Sequence, residues 1–184
     1  MNADSRNHFL EHLSLLPQDC QQDVTRMFDE IADDLPEFDM DQQGSSTDWL
    51  GVLPAVLCSS RFIAGLLRRD PRYLTDLITD QSLFHPVDSG ALASQLESAL
   101  TATEDEQGML HILRHARNQA MLQIAFRDLA GWAPLDEVMA AVSNTAEALL
   151  SAALDRTYEL LCNKHGIPVS ADTGEPQKLI VLGM

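Results

Sequence analysis

Four groups of residues in this 184-residue chain have the types and spacing that chemistry uses. His8-Phe9-Leu10-Glu11-His12 matches H-x-x-E-H, in which two imidazoles one helical turn apart hold zinc and the glutamate acts as a base. His111 and His115 repeat the i, i+4 interval without the glutamate. Asp39-Met40-Asp41 has the D-x-D spacing with which two carboxylates converge on magnesium from a rigid strand. Seven of the twelve basic residues fall into two windows, which is how a phosphate or partner surface is built. The first holds Arg61, Arg68, Arg69 and Arg72; the second holds Arg114, Arg117 and Arg127.

Each group has a plainer account. A zinc centre needs a third protein ligand, a rigid helix and a cleft, and none is legible beside His8 and His12, close to a chain end where short helices fray. His111 and His115 read as partly exposed helix positions. Asp39 and Asp41 sit in a polar stretch over 36–48, with Pro36 and Gly44 and no periodicity, where carboxylates are solvated. The arginines have Asp70, Asp76 and Asp128 available for pairing across neighbouring helices. The sequence therefore assigns no catalytic and no metal-ligating residue. It leaves Arg114, Arg117 and Arg127 as candidates to face a partner or a phosphate. No G-x-G-x-x-G turn, Walker loop or G-x-S-x-G elbow is present.

The elements that must position these groups are helical. Periodicity and breakers predict helices over 5–16, 19–34, 49–57, 60–69, 71–79, 90–102, 104–129 and 135–165. Pro17, Pro71, Pro134 and Gly166 mark the boundaries. Two Trp, two Tyr and six Phe leave the core to Leu, Ala, Ile, Val and Met, a mixture that suits helix-on-helix packing. The expected fold is an all-α multi-helix bundle in three stretches: acidic helices and a linker over 1–48, the bundle over 49–165, and a linker and strand over 166–184. That strand, Gln177–Met184 (Q-K-L-I-V-L-G-M), has no partner strand legible in the chain. It is expected to open a further domain, and the chain alone is expected to be inactive.

Charge narrows the partners. The net charge is −16, and residues 1–48 carry twelve acidic residues against Arg6 and Arg26. Phosphate backbones and anionic membranes would be repelled, so neither nucleic acid nor membrane is expected as a partner. Three scattered cysteines without a C-x-x-C pair, and an amino terminus without a basic and apolar leader, point to a reducing, cytoplasmic setting. No uncharged apolar run reaches spanning length.

Three blocks, in order, resemble one family. They are S-R-F-I-A-G-L-L-R-R-D-P-R-Y-L-T-D-L (60–77), L-R-H-A-R-N-Q-A-M-L-Q-I-A-F-R-D-L (113–129) and H-G-I-P-V-S-A-D-T-G-E-P-Q-K-L-I-V-L-G-M (165–184). The family is the bifunctional glutamine synthetase adenylyltransferase/adenylyl-removing enzymes, and the resemblance is to their amino-terminal half over about residues 55–184. It implies a parent that removes AMP from a tyrosine of glutamine synthetase by phosphorolysis and, in a second half, attaches AMP from ATP, under PII-type signalling proteins. By the same resemblance, the terminal strand is the first of a nucleotidyltransferase domain, the adenylyl-removing one, which this chain would scaffold. Magnesium and ATP/ADP are implied for the full-length enzyme, and no cofactor in this stretch. The family is usually arginine-dense over 113–129, whereas His115, Asn118, Gln119 and Gln123 stand at commonly basic positions here. The alternative is a stand-alone helical protein-interaction module, with the terminal strand pairing to a partner or a second copy.

Overall fold

The computed structural model describes residues 2–38, 48–103 and 105–181. Eight α-helices lie within them: α1 (Ala3–Leu13), α2 (Gln18–Ile31), α3 (Trp49–Ser59), α4 (Arg61–Leu67), α5 (Arg72–Thr79), α6 (Ser89–Thr101), α7 (Glu106–Leu129) and α8 (Leu135–His165). The helix starts reflect capping chemistry, because a side-chain oxygen replaces the carbonyl that the first-turn N–H groups lack. Asn2 accepts from Ser5 N at 2.8 Å, Asp48 from Gly51 N at 2.8 Å, Ser60 from Ile63 N at 3.2 Å and Asp88 from Ala91 N at 2.9 Å. At the far end of α7, Gly131 takes φ +70°, a conformation that glycine adopts without a Cβ clash, and the Trp132 N–H donates to the Arg127 carbonyl at 2.8 Å.

The chain divides into two compact units, residues 1–87 with 118–142, and residues 88–117 with 143–184. In the first unit the acidic amino-terminal helices share one apolar core with α3–α5, because each carries an inward stripe. Phe9 of α1 stacks on Phe28 of α2 with ring centroids 3.5 Å apart. Around them lie Trp49, Leu50, Leu53, Ile63, Leu67, Leu74, Leu77, Leu83, Leu122 and Phe126, all buried. Val24, Met27, Phe28 and Ile31 are the buried face of α2, and its aspartates face water. No described helix is long and apolar enough to cross a membrane, and the apolar pair α3 and α4 is bent by 113°.

In the second unit, Leu96, Leu100 and Met109 are buried apolar positions. Arg156 of α8 donates to the Thr103 carbonyl and to Glu159, each at 2.6 Å.

The expected carboxy-terminal strand is not formed over 177–181; residues 182–184 lie outside the described residues. What forms instead is a tight turn after α8, with an isolated antiparallel bridge between Val169 and Pro176. Ser170 N donates to Glu175 O, Gly174 N to Ser170 O and Gln177 N to Pro168 O, each at 2.9 Å. Beyond Gln177 no described strand lies alongside to take up the ladder bonds, so the β-prone sequence has nothing to pair with. Leu179, Ile180 and Val181 are left exposed.

Candidate functional site

The geometry with most chemical content joins α1 to the start of α3. His8 and His12 share one face of α1, their rings 4.6 Å apart and edge-on. Asp48, the residue that caps α3, reaches the same point: its two carboxylate oxygens lie 3.0 and 2.9 Å from His8 Nε2. The three residues can each offer one ligand atom with all three atoms within 4.8 Å of one another. His12 Nδ1 lies 3.0 Å from the His8 carbonyl oxygen, a contact in which the ring nitrogen donates. Phe38 stacks against the His8 ring at 5.2 Å, and Trp49 meets Phe38 edge-on at 5.8 Å. The third ligand that the H-x-x-E-H spacing lacked is therefore present, and it is not Glu11, which is exposed. The sequence signal for Asp48 was its place as a capping residue before an apolar helix; nothing local pointed to His8.

The arginines of the two windows differ in burial and in what they pair with. Arg72 pairs with Asp70 at 2.8 Å, and that carboxylate holds its guanidinium above the ordinary arginine pKa. Arg68 pairs with Glu30 at 2.8 Å, and Arg69 donates to the Gly65 carbonyl. Arg61 on α4 and Arg114 and Arg117 on α7 are exposed. Arg127 is buried: its guanidinium donates to Glu137 at 2.9 and 3.1 Å and to the Leu83 carbonyl at 3.3 Å. Its partner is Glu137 rather than Asp128. Gln123, at a commonly basic position, is buried and donates to the carbonyls of Ser82 and His85.

The other candidates are dispersed. His111 and His115 have ring centroids 6.4 Å apart. Asp39 and Asp41 lie outside the described residues. Cys20 and Cys58, on α2 and α3, come together: a hydrogen bond with Cys58 pushes the Cys20 thiol up to about 11, with desolvation and the charges of Asp19 and Asp23 adding to it. A groove of about 680 Å³ in the second unit is lined by Glu97, Glu147, Asp155 and Glu159 with one arginine, Arg156, a charge balance that repels phosphate. Among the described residues there is neither a pair of carboxylates on a strand nor a glycine-rich turn at a helix start.

Comparison with known proteins gives a consistent outcome. The sequence profile of the glutamate-ammonia ligase adenylyltransferase family matches residues 50–184. The bifunctional glutamine synthetase adenylyltransferase/adenylyl-removing enzyme of Thioalkalivibrio sulfidiphilus is 34% identical over 173 residues, covering 94% of this chain. The enzymes of the same name from Shewanella loihica and Pseudomonas putida are 32% and 31% identical, each over 92% of it. The chain spans 17% of the length of each of these three relatives. No solved structure matches it.

Proposed function

This chain belongs to the glutamate-ammonia ligase adenylyltransferase family, and from that premise we propose that it is a helical scaffold in an enzyme that adenylylates and deadenylylates glutamine synthetase. In this reading it carries no reacting group. It holds the adenylyl-removing nucleotidyltransferase domain, and magnesium and ATP or ADP are bound by the full-length enzyme outside this stretch. Arg114 and Arg117, on α7, face glutamine synthetase or a PII-type signalling protein.

The observation that carries the reading is the bare apolar face of α8. Leu135, Met139, Val142, Leu150 and Leu161 are all exposed, Leu135 at 71% and Met139 at 61%. At about 100° per residue these five fall within about 100° of one another around the helix. A stripe of that width is what a helix buries against a packing partner. The exposed run Leu179, Ile180 and Val181 comes after it on the carboxy-terminal side.

The test replaces the matching segment of the Thioalkalivibrio sulfidiphilus enzyme with this chain and assays AMP removal and AMP attachment on glutamine synthetase. The unmodified chimera is expected to retain both activities. Met139→Glu with Leu150→Glu is expected to abolish AMP removal while circular dichroism of the isolated chain is unchanged. Full AMP removal by the doubly charged chimera would refute the scaffold reading.

A further inference from the structure

We propose that His8, His12 and Asp48 form a binding site for one divalent transition-metal ion of the zinc class, which clamps α1 to the amino-terminal end of α3. All three residues precede residue 50, where the match to the family's sequence profile begins.

The donor set selects the ion. Two imidazole nitrogens and one carboxylate oxygen suit zinc, cobalt, nickel or copper, whereas magnesium and calcium take oxygen ligands. The spacing is close to what such an ion needs. With metal–ligand bonds of about 2.0–2.1 Å, tetrahedral ligands stand about 3.4 Å apart. His8 and Asp48 are already nearer than that, at 2.9 Å, and the full set of ligand atoms lies within 4.8 Å. The widest pair therefore has at most about 1.4 Å to close, a movement within the reach of a side-chain rotation.

The surroundings prepare the ligands. A hydrogen bond from His12 Nδ1 to the His8 carbonyl fixes the tautomer and leaves Nε2 as the nitrogen with a lone pair. Asp48 is held by the Gly51 N–H, and Phe38 covers the His8 ring on one face. His8 and Asp48 are largely shielded, with side chains 13% and 25% exposed. The ion takes the place of the proton now shared between His8 Nε2 and Asp48, and three protein ligands leave a fourth position for water. The surrounding segment favours cations, since twelve acidic and two basic residues over 1–48 leave it at −10.

The experiment uses the untagged 184-residue chain, dialysed against zinc and, separately, cobalt, with metal content measured by elemental analysis and cobalt geometry read from its visible absorption. One tightly held ion per chain is expected, with a rise in melting temperature on zinc addition. His8→Gln, His12→Gln and Asp48→Asn should each weaken binding by more than the roughly 10–100-fold that outer-sphere changes cost. Asparagine still caps α3, and His12→Gln leaves the His8–Asp48 pair intact, so folding is preserved in both. The double variant His111→Gln/His115→Gln should bind as the unmodified chain does. Absence of stoichiometric zinc, or binding that survives both His12→Gln and Asp48→Asn, would overturn the site; so would loss of the ion in the His111/His115 variant.

Discussion

Arg127 and Glu137 make a pair whose two members should differ in how badly they are missed. The Arg127 side chain is 7% exposed and that of Glu137 is 23% exposed, and together they close the turn between α7 and α8. Glu137→Leu strands a buried guanidinium with only the Leu83 carbonyl at 3.3 Å. The expected loss is about 3 kcal/mol, at the low end of what breaking a buried pair costs. Arg127→Met leaves a carboxylate that water can reach and keeps most of the apolar stem, so about 2 kcal/mol is expected. The double variant removes both charges together and should cost no more than about 2 kcal/mol, a coupling of roughly 3 kcal/mol. Urea unfolding of the four proteins, tracked by circular dichroism, measures the cycle. As a control, the Arg6–Asp29 pair, with both side chains 46% exposed, should give a coupling below about 0.5 kcal/mol. Additivity at Arg127 and Glu137 within about 0.5 kcal/mol would refute the claim that burial makes this pair structural.

Other outcomes rest on local geometry. Gly65→Ala meets only ordinary contact, 3.7 Å from Arg69 Nη2, and should stabilise α4 by about 0.5–1 kcal/mol in thermal unfolding. Gly51→Ala should instead lower the melting temperature, because a Cβ there would stand 2.8 Å from Asp48 Cγ and push the carboxylate off both its cap and His8. The Cys20 thiol should alkylate slowly at pH 8, with its rate rising toward pH 11, as read by mass spectrometry; half-maximal reactivity near pH 8.5 would contradict the raised pKa. The sign for stability is fixed. The thiol stays protonated in the folded chain up to about 11 but ionises near 9.0 when unfolded, so its contribution is complete below 9.0 and is lost as pH rises from there toward 11.

The helices were legible in the sequence because their determinants are local. Apolar spacing gave α2, α7 and α8; Ser60 caps α4 through the Ile63 N–H, Pro71 stands just before α5, and Gly166 follows α8 with a positive φ. The three resembling blocks were equally local, and the family is read from them. The strand at 177–181 was misread for a matching reason: β-propensity expresses a fit to neighbours, and no described neighbour is there. Arg127 reads as a surface cation by type, yet the turn over 130–134 brings Glu137 against it and the guanidinium is buried. Asp48 shows the division within a single residue. Its role as a helix cap is fixed locally, by the Gly51 N–H three positions on. Its approach to His8, forty positions earlier, exists because α1 and α3 bury Phe9 and Trp49 in one core, and only folding brings those two side chains together.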